Sequence, residues 1–194
     1  MQEKLNFSQV AALIVDNDGF AAGILGQVLR GFGLTRLTIG EDGETGQRRV
    51  QTSHYDMVIC EYALPDMEGT DFVRWLRRLP GPQIKTVPVI LLTGYTQFSN
   101  VVAARDCGAN IVVKKPISPN VLFERIAWSA ESERPFVETS SYIGPCRRFK
   151  SSGPPNGIGR RETDLSAAVG AAVGRNMSQD EIDSFIKPTK VSIE

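Results

Sequence analysis

Several side chains with chemical potential fall at the ends of short apolar runs, where they are poorly placed for packing. Asp16-Asn17-Asp18 follows the run Val10–Val15, Glu61 follows Asp56–Cys60, Thr93 follows Val87–Leu92, and Lys115 closes the run Ile111–Val113 just ahead of Pro116. Two carboxylates, Asp16 and Glu61, are the oxygen ligands that a hard divalent cation such as magnesium prefers. A threonine hydroxyl and a lysine ammonium beside them suit phosphoryl oxygens. Lys115 is held extended by the proline that follows it. Other chemistries lack their parts: the one histidine (His54) and three separated cysteines (Cys60, Cys107, Cys146) form neither a zinc pattern nor a nucleophile–base pair.

The elements that must position these groups are legible as five β-branched apolar runs alternating with five helical patterns. The strands are expected over Val10–Val15, Arg36–Ile39, Asp56–Cys60, Val87–Leu92 and Ile111–Val113. Phe20, Ile24, Leu25, Val28, Leu29 and Phe32 recur at helical spacing, with Gly31 and Gly33 as stop signals. Phe72, Trp75, Leu76 and Leu79 give another helix one apolar face, ended by Pro80-Gly81-Pro82. Near-continuous apolar strands between amphipathic helices imply an α/β fold, with a doubly wound parallel sheet covered on both faces. The functional crevice of such a sheet lies at the carboxyl ends of its strands.

The chain has 194 residues and equal numbers of basic and acidic side chains, 22 of each. That length suits one domain plus an extension, and the balance points to no polyanionic partner. The charge is unevenly placed, however. Arg134, Arg147, Arg148, Lys150, Arg160 and Arg161 face only Glu131, Glu133 and Glu138 within residues 131–161, and the remaining C-terminal residues reverse the sign. The apolar run ending at Asp16 is too short for a signal peptide or a membrane span, and buried thiols fit the separated cysteines better than disulfides. The expected location is the cytoplasm.

The strand-end residues resemble those of the receiver domain of bacterial response regulators, the CheY-like family, over roughly residues 8–130. The resemblance implies a flavodoxin-like five-stranded sheet of order 2-1-3-4-5. It places Asp16, with Asn17 and Asp18, in the acidic pocket, Glu61 at the phosphoacceptor position, Thr93 as the switch hydroxyl, Lys115 as the pocket lysine, and Val112 where many members carry an aromatic switch residue. The sequence departs from the family pattern at Asn17, Glu61 and Val112. Glu61 is one methylene longer than aspartate, which moves its carboxylate out by about 1.5 Å. Misplacement of that order costs about a hundredfold in rate. Three readings stay open: slow phosphate acceptance by Glu61, a carboxylate that reaches Lys115 and Thr93 and imitates the phosphorylated state, or a salt bridge with Lys115 in a degenerate pocket. The magnesium implied by the family would be held by Asp16 and Glu61.

Beyond residue 130 the composition shifts, giving three expected regions: a receiver (1–130), an arginine-, proline-, glycine- and serine-rich irregular extension (131–165), and a small-residue segment with a short capped helix (166–194). Guanidinium groups interleaved with aromatic rings suit a guanine-containing ligand, through bidentate bonds and stacking. Tyr142-Ile-Gly-Pro-Cys-Arg147-Arg148 resembles the arginine-rich extension of CheY-like cyclic di-GMP effectors, making Arg134, Tyr142, Arg147, Arg148 and Phe149 the nucleotide-binding candidates. A solvated basic linker whose aromatics pack on the receiver is the competing reading. Residues 177–186, Met-Ser-Gln-Asp-Glu-Ile-Asp-Ser-Phe-Ile, resemble the N-terminal peptide of the flagellar switch protein FliM. The Ser-x-x-Glu spacing predicts a capping box, and Ser178, Ile182, Phe185 and Ile186 are the partner-helix candidates. This segment is expected either to cover its own receiver's output face or to dock on another receiver.

The leading expectation is a non-enzymatic signalling adaptor in motility or chemotaxis control, not phosphorylated in the usual way. Its expected partners are a histidine kinase, the flagellar switch or another receiver. Six cations without a helix-turn-helix argue against DNA binding. The alternatives are an ordinary phosphorelay receiver and a magnesium-dependent phosphatase of flavodoxin-like fold.

Overall fold

The computed structural model describes residues 6–132, 134–147 and 176–186. Five strands, β1 (Ala11–Val15), β2 (Arg36–Gly40), β3 (Met57–Glu61), β4 (Val89–Thr93) and β5 (Ile111–Lys114), form one parallel sheet of order β2-β1-β3-β4-β5. The expected order is therefore observed. Helices α1 (Gly19–Gly31), α2 (Gly43–Thr52), α3 (Gly69–Arg78), α4 (Pro82–Thr86), α5 (Phe98–Asp106) and α6 (Pro119–Glu131) link the strands, α4 as a single extra turn before β4. No described helix is long and apolar enough to cross a membrane.

Strand residues alternate between two cores, as a period of two demands. Leu13, Val15, Val58, Cys60, Val89, Leu91 and Val112 join Phe72, Val73 and Leu76 of α3 and Val101 and Ala104 of α5 on one face. Ala12, Ile14, Met57, Ile59, Ile90, Leu92, Ile111 and Val113 join Ala22, Leu25 and Leu29 of α1 and Leu122 and Ile126 of α6 on the other. Each of β1, β3 and β4 is buried along its whole length. Hence these strands read as unbroken apolar runs.

Local signals fix the ends of the helices. Asp18, Asp42 and Ser118 are N-caps whose side chains accept from backbone amides of the first turn. Gly33 terminates α1 at φ 99°, with Gly33 N–H donating to the Arg30 carbonyl (2.9 Å) and Leu34 N–H to that of Leu29 (3.1 Å). This is the double bond pattern that favours glycine after a helix.

The extension departs from the sequence expectation. It is not wholly irregular: β6 (Phe136–Glu138) and β7 (Ile143–Pro145) form an antiparallel hairpin, and α7 (Gln179–Ile186) follows further on. Three-residue strands are too short to display a period, which explains why the hairpin was not anticipated. The expected capping box of α7 is present: Ser178 N–H donates to Glu181 Oε2 (2.8 Å), and Glu181 N–H to Ser178 Oγ (3.3 Å).

Candidate functional site

The carboxyl ends of β1, β3 and β5 bring Asp16, Glu61 and Lys115 together. Asp16 and Glu61 are buried, 2% and 7% exposed. Lys115 Nζ donates to Asp16 Oδ2 at 3.1 Å and forms an ion pair with Glu61 Oε2, so one ammonium answers two carboxylates. Burial alone would push the Lys115 pKa down. The close negative charge of Glu61, then the charge and hydrogen bond of Asp16, outweigh it and raise the pKa. Glu61 Oε1 turns back to its own loop, accepting from Tyr62 N–H (3.0 Å) and Ala63 N–H (3.4 Å). Glu61 Oε2 has no aligned hydrogen-bond donor among the described residues and meets the ammonium as a charge pair.

The loop after β3 is closed tightly by its turn residues. Ala63 bridges Glu68, and Gly69 N–H donates to the Tyr62 carbonyl at 2.6 Å. A Cβ at position 69 would collide with the Glu61 carbonyl oxygen, so only glycine permits this approach. Asp66 in the same loop accepts from Gly43 and Glu44 N–H (2.9 and 2.8 Å) and ties the loop to the start of α2.

The other pocket candidates are placed differently. Asn17 is exposed, and Asp18 is committed to capping α1 through Phe20 and Ala21 N–H. Thr93 Oγ1 accepts from Tyr95 N–H (2.8 Å) and donates to the Tyr95 carbonyl (3.2 Å). Glu61 thus reaches Lys115, a contact common to the mimic and the salt-bridge readings, while the Thr93 hydroxyl serves its own loop. Val112 is buried in the core. Asp16 and Glu61 supply two oxygen ligands of the type magnesium uses, so the donor set fits that ion, with Lys115 in competition for both. No group of three or more His, Cys, Asp or Glu that could hold a metal occurs among the described residues.

The two described arginines of the extension, Arg134 and Arg147, are engaged by the receiver itself. Arg134 stacks over Trp128, its guanidinium carbon 4.6 Å from the ring centre, and donates to the Asn110 carbonyl at 2.8 Å. Arg147 lies 4.2 Å over the Tyr142 ring and pairs with Asp106. The Tyr142 hydroxyl donates to the Pro145 carbonyl (2.7 Å), and burial pushes its pKa up to about 12. Arg148 and Phe149 lie outside the described residues, as do the small residues from Ser166 on.

Helix α7 lies along the open edge of β5. Gln179 Oε1 accepts from Lys114 N–H (2.6 Å), and Gln179 Nε2 donates to the Val112 carbonyl (3.2 Å) and to Asp183 Oδ1 (3.1 Å). Asp183 pairs with Arg125 of α6, Met177 N–H donates to the Thr96 carbonyl (2.7 Å), and Asn176 bridges Gln97. Of the partner-helix candidates, Ile182 is fully buried, Ile186 is partly buried, Ser178 serves as the cap, and the Phe185 side chain lies outside the described residues.

Sequence reasoning missed Gln179, Arg125 and Arg77. Arg77 donates four bonds, from Nε to the Gly108 carbonyl (2.9 Å), from Nη1 to the Lys85 and Val87 carbonyls (2.8 and 2.7 Å), and from Nη2 to Asn110 Oδ1 (2.8 Å). The available signal was position: Arg77 and Arg125 sit among the apolar residues of their helices, at helical spacing from Val73 and Leu122.

Residues 12–127 match the family model of the response regulator receiver domain, and the chain belongs to that family. It is 36% identical over 114 residues to the DNA-binding response regulator MtrA of Mycolicibacterium paratuberculosis, covering 59% of this chain and 48% of MtrA. It is 29% identical to the chemotaxis protein CheY of Pseudomonas aeruginosa, covering 59% of this chain and 90% of that one. The aligned part thus spans about half the length of MtrA but nearly all of CheY. Among solved structures, a CheY-like receiver domain protein of Methanospirillum hungatei superposes with a TM-score of 0.56 at 27% identity, covering 61% of this chain and 90% of that chain. Residues 12–127 are thus a receiver domain of two-component signalling; the named relatives are signalling proteins, and receiver domains typically use magnesium at the acidic pocket.

Proposed function

We propose that this receiver is an atypical one that acts as a signalling adaptor in motility or chemotaxis control, without accepting phosphate in the usual way. The observation that carries this reading is the Lys115 ammonium shared between Glu61 and Asp16. At the phosphoacceptor position a carboxylate one methylene too long has one oxygen bonded to its own loop and the other paired with a cation. One internal cation partly neutralises the pocket's two carboxylates and holds the acceptor away from attack geometry. When bound, magnesium would supply a Lewis acid for phosphoryl oxygens. Here Asp16 and Glu61 must first release Lys115 to hold it.

The test is incubation with acetyl phosphate and magnesium followed by intact-mass measurement. The expected outcome is no adduct, whereas a gain of about 80 Da, one phosphoryl group, would assign the protein to ordinary phosphorelay. Control then passes to residues 131–194, beyond the receiver unit of residues 1–130. Histidine kinases, the flagellar switch or another receiver are the proposed partners.

A second reading concerns the extension. Arg147 over Tyr142 and Arg134 over Trp128 are preformed cation–π stacks of the kind that purine bases join. They support cyclic di-GMP as a ligand of the hairpin region, with Arg147 exchanging Asp106 for a guanine edge or a phosphate. Calorimetric titration of the native chain is expected to give heat that Arg147→Ala/Arg148→Ala abolishes. A silent titration of the native chain removes this ligand.

A further inference from the structure

The β5 strand is one of the two edges of the sheet, and an uncovered edge exposes unpaired backbone groups. Val112 carbonyl and Lys114 N–H point the same way out of that edge, two residues apart, and Gln179 satisfies both with one side-chain amide. The helix α7 therefore reads backbone as a neighbouring strand would, through a single residue of its first turn. Four residues on, Asp183 meets Arg125, which is 7% exposed, and between them Ile182 enters the core that contains Val101, Ala104, Cys107 and Val112. Gln179, Ile182 and Asp183 lie on one helical face by their spacing. Hydrogen-bonding, apolar and charge complementarity thus converge on the same face.

The tether reaches. Arg147 is anchored to Asp106 at the end of α5, and Asn176 to Gln97 just ahead of its start. The nine residues of α5 span about 13 Å. The 28 residues between the anchors would cover about 42 Å even at helical rise. An attached segment of this kind is presented to its groove at an effective concentration on the order of millimolar or somewhat less.

We propose that α7 is a tethered ligand that occupies the β5 edge of its own receiver, with Gln179, Ile182 and Asp183 as the residues that hold it, so that a partner using this edge must displace it. The inference stands on the family membership and not on the state of Glu61; phosphate accepted at Glu61 would leave it intact.

The experiment is fluorescence anisotropy with a labelled synthetic peptide of residues 176–187, titrated with the full-length native chain and with full-length Ile182→Asp. The variant frees the groove and keeps the receiver core, and circular dichroism checks that it folds. The peptide is expected to bind Ile182→Asp at least about tenfold more tightly than the native chain, since a groove filled nine-tenths of the time costs a competitor that factor. Arg125→Asp should lose the peptide, and a peptide carrying Asp183→Arg should restore binding to it. Equal affinity for native chain and Ile182→Asp, or no binding to either, would overturn the proposal. So would a native dimer in light scattering that Ile182→Asp dissociates, because the contact would then join two copies.

Discussion

Lys115 and Arg77 are two buried or half-buried cations at opposite ends of the sheet, and they are kept charged by different means. Lys115 faces two formal negative charges, and its pKa is raised although burial opposes that. Arg77 faces carbonyl oxygens and an amide oxygen, with the Phe136 ring over its guanidinium at 5.4 Å, and burial brings its pKa down to about 10. Neutral dipoles hold a cation in place without offering it anything to exchange. Carboxylates do offer an exchange, because another cation can take the place of the lysine. The arginine end is therefore framework, and the lysine end is where a ligand can act.

Removing each cation should separate the two roles. Arg77→Met leaves the Gly108, Lys85 and Val87 carbonyls without their donor at a place where α3, α4 and β5 meet. A loss of about 3 kcal/mol or more is expected in urea unfolding, unchanged by magnesium. Lys115→Met leaves Asp16 and Glu61 facing each other. About 2 kcal/mol should be lost, less than for a fully enclosed pair because the lysine side chain is 30% exposed. Magnesium should restore part of that loss and should stabilise Lys115→Met more than the native chain. If magnesium acts equally on both, Lys115 does not compete for the carboxylates.

The pH dependence sharpens the same contrast. A cation whose folded pKa is raised contributes stability fully below its ordinary value and loses it as pH rises through the folded one. For Lys115 the window opens above about 10.4, the ordinary lysine value, and not near neutrality. The stability difference between the native chain and Lys115→Met should hold steady from pH 7 to 10 and narrow only above that. Narrowing near neutral pH would mean that the lysine is not paired as described.

The sheet was legible because β1, β3 and β4 are buried on both faces and read as apolar runs, and because Gly31 and Gly33 mark the end of α1; Asp18, read as a pocket acid, instead caps that helix. The pocket was legible for a related reason, since Asp16, Glu61 and Lys115 each follow such a run. Where Thr93 turns its hydroxyl was not, since Tyr95 and the loop geometry decide it. Nor was α4: Pro82 looks like a breaker, although proline suits a first helical turn. The Gln179 contact joins residues 65 apart in sequence, and no local pattern encodes it.

That long-range contact yields the smallest expected effect. Gln179→Ala removes two bonds to the β5 edge, but the freed backbone groups lie at a sheet edge that water reaches once α7 lifts. The cost is then the net value of a hydrogen bond, about 1 kcal/mol, rather than that of a buried orphan. Global unfolding should be unchanged, while the Lys114 amide exchanges with solvent roughly fivefold faster, the factor that 1 kcal/mol represents. The Asn110 amide, bonded to the Val89 carbonyl at the start of β5, should keep its protection and serve as the internal control. An unchanged Lys114 rate would mean that Gln179 does not guard this edge, and Ile182 with Asp183 would carry the docking alone.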